Sequence, residues 1–235
     1  MNVSKYYLST LGKDESDVYY RFESGIVSFR NRIDLPCDIP YGRIFEIFRM
    51  VKLDSPELFC CNSISLKGGS RGLTAIPEYG FDAKNAEKQL SSFEKKAEKI
   101  LNGTEGYSEI EKEGYIHDWL IENTTYTSLY KNYSHEIYGV FNNGIGVCEG
   151  IAKAAKYLFD RCGIDSAVVV SKPDEKNISH AWNVVLIDGR YYHLDVTFDL
   201  SQPEWKKRKY FNLTDAEIFR DHRETLFPIP RCSEN

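Results

Sequence analysis

Two apolar runs, Ala181 to Ile187 and Arg190 to Val196, are separated by Asp188-Gly189. Asp-Gly between such runs is the strongest short-range signal for a β-hairpin. A two-residue loop also fixes the register: Ile187 opposes Arg190, and counting outward sets Trp182 opposite Asp195. Side chains alternate across a sheet, so His180, Trp182 and Val184 share a face with His193, Asp195 and Thr197. His180 then sits diagonally beside Asp195, at roughly 7 to 8 Å between Cα atoms, within reach of an imidazole–carboxylate hydrogen bond. A β-bulge in either strand would move one partner to the opposite face.

Upstream, Gly144-Ile145-Gly146-Val147-Cys148-Glu149-Gly150-Ile151-Ala152 delivers a cysteine to the start of an amphipathic stretch. Ile151, Ala155, Leu158, Phe159 and Cys162 fall on one face of a helix that stops at Gly163. Ala152, Ala154 and Ala155 permit close approach to a sheet. A thiol at a helix N-terminus feels the positive end of the helix dipole, and a neighbouring imidazolium favours its thiolate further. Small residues before it let a substrate approach the backbone, and the Cys148 amide is placed to stabilise an oxyanion. With Asp195 holding the His180 ring, Cys148, His180 and Asp195 make a coherent acyl-transfer set. Each residue taken singly is commonly structural, so two other readings stay open. One is a binding module that performs no turnover. The other is a zinc site built from His180, His193, Asp195 and Cys148, although His193 lies two strand positions from Asp195 and would equally cap the pocket.

The rest of the chain is less explicit. Residues 1 to about 36 carry short apolar groups, such as Val18-Tyr19-Tyr20-Arg21-Phe22, too short to choose between strand and helix. Tyr41 to Leu53 reads as a buried helix that ends before Asp54-Ser55-Pro56. Leu58 to Leu66 brackets a strand, Gly68 to Gly72 a turn, and Leu73 to Tyr79 its returning partner. Asp82 to Leu101 has Ala86, Leu90, Phe93, Ala97 and Ile100 at helical steps. Ser108-Glu109-Ile110-Glu111 is a capping box for a second helix to about Asn123, which carries His117 as a packed or surface residue. Residues 124 to 143 read as a long, tyrosine-rich connection to the cysteine. Ala167 to Val170 is a buried strand, Pro173 to Asn177 a loop, and Thr214 to Glu217 a capping box for a short helix.

Composition narrows the class. With 235 residues the chain can bury a core without covalent staples. A net charge of -5 argues against nucleic acid as a partner, and Lys206-Lys207-Arg208-Lys209 reads as a solvated edge. Six cysteines, with no C-x-x-C pair, give neither a disulfide framework nor a zinc ribbon. No signal peptide and no apolar run near the ~20 residues of a membrane span is visible, so neither export nor a membrane partner is expected, and a full-length chain would be cytoplasmic. Asn-x-Ser/Thr matches at Asn2, Asn102, Asn123, Asn132, Asn177 and Asn212 are read as chance. The oligomeric state is not legible.

The motifs Gly146-Val147-Cys148-Glu149-Gly150-Ile151-Ala152, His180-Ala181-Trp182-Asn183-Val184-Val185 and Tyr191-Tyr192-His193-Leu194-Asp195-Val196-Thr197-Phe198-Asp199 together resemble the transglutaminase-like superfamily as found in bacterial proteins. The resemblance is specific over about residues 105 to 200, with weaker patterns at Asp54 to Phe59 and Tyr210 to Thr214. It implies a papain-like α+β fold, the nucleophile heading a helix packed on an antiparallel sheet. A core would span 105–235, with 1–104 a mixed region packed on it or part of it. It also implies Cys148, His180 and Asp195 as catalytic triad, with Tyr126, Gly146, Glu149, Trp182 and His193 around the pocket and oxyanion. Phe198 stands where many relatives carry tryptophan, a departure that bears on substrate shape. The implied activity is cysteine-dependent acyl transfer or amide hydrolysis on a protein or peptide. No cofactor is implied, and nothing resembles the calcium loops of animal transglutaminases.

Overall fold

A computed structural model describes residues 4–36, 39–69, 72–127, 131–173, 179–204 and 207–233. It divides into two compact units, Lys5–Ser92 and a larger one formed by Met1–Ser4 with Phe93–Asn235. The mixed helical and sheet architecture read from the sequence holds.

In the Lys5–Ser92 unit, the aromatic groups that gave no readable period lie on α-helices. Tyr6–Ser9 forms α1 and Lys13–Val27 forms α2, with Val18, Tyr19, Phe22 and Ile26 buried along one face of α2. The expected buried helix is α3, Tyr41–Asp54, although its Phe45 stays exposed. Asp54, at its end, is fully buried and accepts from Tyr7 N at 3.1 Å, Leu8 N at 3.0 Å and the Tyr19 hydroxyl at 3.1 Å. Three donors on one carboxylate compensate its loss of water. The expected hairpin pairs β2, Cys61–Gly69, with β3, Gly72–Tyr79, and β1, Ile33–Leu35, adds to the other edge of β3. Cys37 and the turn residues Ser70 and Arg71 lie outside the described residues.

Helix α4, Ala83–Leu101, follows the predicted spacing. In α5, Glu109–Asn123, the capping box forms as read: Glu111 Oε2 accepts from Ser108 N at 2.8 Å. The stretch read as a long connection holds more structure than its composition suggests. It contains β4, Thr125–Tyr126, a 3₁₀ turn at Asn132–His135 and helix α6, Ile137–Asn143. Gly144, at φ 62°, ends α6 in the left-handed conformation. Strand β5, Ile145–Gly146, then pairs in parallel with β4, so Tyr126 lies beside Gly146.

Helix α7, Cys148–Cys162, begins at the cysteine and ends at Gly163 in the left-handed conformation, as expected. It packs on an antiparallel sheet of β6, Ser166–Val170, β7, Ala181–Ile187, and β8, Arg190–Leu194, in the order β6-β7-β8. The Asn183 side chain ties sheet to helix by donating to Ala152 O at 2.9 Å. The Asp188-Gly189 loop gives the predicted register from Ile187↔Arg190 to Asn183↔Leu194, with both loop residues at positive φ. Beyond Leu194 the ladder stops. Asp195 caps a short helix α8, Val196–Leu200, so the expected Trp182–Asp195 pairing gives way to an N-cap. The capping box at Thr214 opens α9, Asp215–Ile218. Most of the expected loop at Pro173–Asn177 lies outside the described residues. No helix among the described residues is long and apolar enough to cross a membrane.

Candidate active site

Cys148 is the first residue of α7 and is partly exposed, where helical backbone amides have no intrahelical partner. Burial pushes two other thiols up, Cys162 to about 11 and Cys232 to about 12, so both stay protonated near neutral pH.

His180 immediately precedes β7. Its backbone is fixed to the end of β6: His180 N donates to Ser171 Oγ at 2.8 Å and Ser171 N to His180 O at 2.8 Å. Its Nε2 lies 2.6 Å from Asp195 Oδ2. The Cys148 thiol is near enough to act on the ring's charge, and with Nε2 engaged by Asp195, Nδ1 is the nitrogen left to serve it. Burial opposes a charge on His180, but hydrogen bonds to Asp195 and Cys148 and their negative charges outweigh it and bring the imidazole up to about 9. The ring stacks between Trp182, at 5.9 Å and 19°, and Phe198, at 4.6 Å.

Asp195 is fully buried and is oriented by its own role as N-cap: Oδ1 accepts from Phe198 N at 3.0 Å. Burial alone would raise its carboxyl, yet hydrogen bonds from His180 and His222 outweigh that and hold it below the usual carboxylate range. His222 is the residue the sequence reading missed. Its Nε2 lies 2.8 Å from the same Oδ2 that His180 uses. No periodic or motif signal marks it, and 27 positions separate it from Asp195; the scarcity of histidine, five in the chain, was the one available reason to weigh each singly.

The pocket positions fall in different places. Tyr126, about half exposed, lines a groove of about 520 Å³ together with Thr124, His180, Thr197, Phe198 and Leu200. Gly146 is buried against Ile151 and Val140, where a Cβ would come within 3.0 Å and 3.1 Å of them. Glu149 pairs with the buried Lys153 at 2.9 Å, which also meets Glu136 at 3.1 Å. Trp182 lies behind the His180 ring, buried, and donates from Nε1 to His193 Nδ1 at 2.9 Å. His193 is fully buried on the far side of Trp182, with Nε2 at 2.9 Å from Asp215 Oδ1. Accepting at Nδ1 fixes its hydrogen on Nε2, and burial lowers its basicity.

The set considered for zinc is therefore divided. Among the described residues, ligand-type atoms converge within 4.8 Å in two clusters, His180 with Asp195 and His222, and His193 with Asp215 and Cys232. In both, the imidazoles already hydrogen-bond carboxylates, and the Cys232 thiol is held protonated, a poorer ligand. Elsewhere in this unit His117 packs inside, its Nε2 3.1 Å from Asp199 Oδ2. Arg208 of the basic cluster reaches Asp118 at 2.7 Å.

Residues 94–196 match the model of the transglutaminase-like superfamily. That span holds Cys148, His180 and Asp195, so the resemblance read from their motifs stands. No functionally curated protein matches the chain. Similar solved structures include a TGase (16% identity, 77% of this chain and 55% of that one, TM-score 0.41). Two others are provisionally assigned proteases. One is a cysteine protease of Cytophaga hutchinsonii (14% identity, 57% and 61% coverage, TM-score 0.38). The other is from Parabacteroides distasonis (17%, 55% and 29%, TM-score 0.38). The chain thus spans 55%, 61% and 29% of the lengths of these three.

Proposed function

We propose that the chain is a cysteine-dependent acyltransferase or amide hydrolase that works on a protein or peptide through a thioester on Cys148. The observation that carries this reading is that His180, whose Nε2 lies 2.6 Å from the buried Asp195 carboxylate, also interacts with the Cys148 thiol at the head of α7. The superfamily match over the same residues supports it.

In this mechanism the Cys148 thiolate attacks an amide carbonyl carbon, and the π electrons move to oxygen. The oxyanion is stabilised by amides at the start of α7, donors fixed in place before the charge develops. As the tetrahedral intermediate collapses, the amine takes a proton from His180 Nδ1 and leaves, and a thioester remains. Water or an acceptor amine then attacks the thioester, returning a proton to His180 and releasing the thiolate. The groove beside Tyr126 and Phe198 is open and partly aromatic, suited to an extended peptide segment.

Trapping tests the proposal. Incubation with a peptide library, acid quenching and mass analysis should give a covalent adduct on Cys148 whose mass gain names the acyl group. A chain that only binds peptides would show no adduct, and an adduct on another residue would overturn the assignment. With any substrate so identified, kcat/KM should fall on the basic side with an inflection near pH 9. His180 is raised to about 9, so its proton is retained below that value and lost as pH rises through it. An inflection near the ordinary histidine value of about 6.5 would contradict the strong Asp195 contact.

A further inference from the structure

Asp195 serves two imidazoles through one oxygen. His180 Nε2 lies 2.6 Å and His222 Nε2 2.8 Å from Oδ2, while Phe198 N occupies Oδ1. The N-cap bond and the His180 bond already complete what a catalytic carboxylate needs, so the second imidazole is additional. It is also deliberately held. His222 Nδ1 lies 2.7 Å from Asp221 Oδ1, and Asp221 Oδ2 accepts from the Tyr210 hydroxyl at 2.7 Å. Tyr210 is anchored in turn, donating from N to Asp199 Oδ1 and accepting at O from Asp195 N, both at 2.9 Å. The His222 side chain is buried, its ring 4.5 Å from Phe198 and 4.9 Å from Trp182, and it does not line the groove.

We propose that His222 is a positioning residue that shares Asp195 Oδ2 with His180 and so limits how strongly Asp195 holds the His180 proton. The proposal rests on the reading of Cys148, His180 and Asp195 as the catalytic set. Two donors on one oxygen divide its charge, and each bond is weaker than it would be alone. The division matters because His180 has opposite duties: it holds a proton while the thiolate attacks, then surrenders it to the leaving amine. A general acid works best when its proton affinity lies near the working pH. An undivided Asp195 would favour the first duty at the expense of the second.

The charged and titratable groups facing His222 are Asp195 and Asp221 by direct contact, and His180, 5.4 Å away between ring centroids. Tyr210 packs on its ring and carries the Lys209 ammonium on its hydroxyl at 2.9 Å. His193 feels His222 as a like charge, and Asp199 feels Asp195 likewise.

The His180 titration, followed by NMR in the full chain with labelled histidine, reads the effect without a substrate. In His222→Phe, which keeps a ring and removes both donors, the His180 inflection should rise by about 0.5–1 pH unit as Asp195 turns its charge to one partner. His222→Gln, whose amide can still donate to Asp195, should shift it less. Asp221→Asn, at an exposed position, should shift it in the same direction as His222→Phe and serves if that variant fails to fold. With a substrate in hand, the basic limb of kcat/KM should move upward in parallel, and kcat should fall about tenfold with KM little changed. A His180 inflection that stays or falls in a folded His222→Phe or Asp221→Asn protein overturns the proposal. Because the titration needs no turnover, failure of the acyl-transfer reading would appear separately, as activity indifferent to Cys148.

Discussion

Cys148→Ala is expected to lower turnover of any trapped substrate by roughly 10⁴- to 10⁶-fold, the range found when single members of a catalytic triad are removed. The size follows from what is lost. His180 and Asp195 remain, as do the helix amides, but no atom is left to form the thioester, and residual rate reflects bound water attacking directly. The fold should tolerate the change. Cys148 is partly exposed at the first position of α7, and alanine suits a helix, so the stability change should be about 1 kcal/mol or less. Cys162→Ala is the matched control: its thiol is held protonated by burial at the far end of the same helix, and turnover should persist. Retention of even a hundredth of wild-type kcat in Cys148→Ala, measured on protein free of wild-type enzyme, would end the nucleophile assignment.

The parts of this site that were legible in the sequence are those fixed by local rules. Asp188-Gly189 dictates a two-residue loop, and a two-residue loop dictates register, so five cross-strand pairs from Ile187↔Arg190 to Asn183↔Leu194 followed by counting. Cys148 at a helix start was legible because α7 carries a clean apolar face and a left-handed glycine stop. Counting failed one residue past the ladder. After Leu194 the backbone turns into α8, and Asp195 reaches His180 as an N-cap beside the strand rather than as a paired strand residue. The contact survives because an imidazole and a carboxylate each have reach to spare. Helix α6 was hidden by brevity, since seven residues offer too few turns to establish a period. His222 was hidden by distance along the chain. Its partner is chosen by the path of the segment from Tyr210, which is set by backbone bonds to Asp195 and by the Asp199 carboxylate, and nothing local encodes that path.

Gly150→Ala is expected to destabilise the protein, against the usual rule for a helix. In a helix, replacing glycine by alanine is ordinarily worth about 1 kcal/mol in favour of the folded state. At Gly150, two residues into α7 from Cys148, an added Cβ would lie 2.2 Å from Ser134 O and 3.1 Å from Ser134 C. Both are backbone atoms, which cannot swing aside as a side-chain tip can. Ser134 O is already committed, accepting from Val147 N at 3.0 Å. The same stretch is held to α7 by Lys153, which donates to His135 O at 3.2 Å and pairs with Glu136 and Glu149. Making room for one methyl therefore means moving the 3₁₀ turn at Asn132–His135 away from the helix start, at an overpacking cost of about 1–3 kcal/mol, and weakening a buried hydrogen bond worth about 1 kcal/mol more. These terms exceed the propensity gain, leaving a net loss of about 1–3 kcal/mol, measurable as a lower midpoint in urea unfolding. Gly150 makes room for the chain itself, and it fixes where the helix begins and so where the thiol stands. Gly150→Ala should accordingly lose turnover by more than its folded fraction explains, because the displaced helix start carries Cys148 away from His180. An unchanged or raised unfolding midpoint would mean that the close approach of Ser134 does not hold the head of α7.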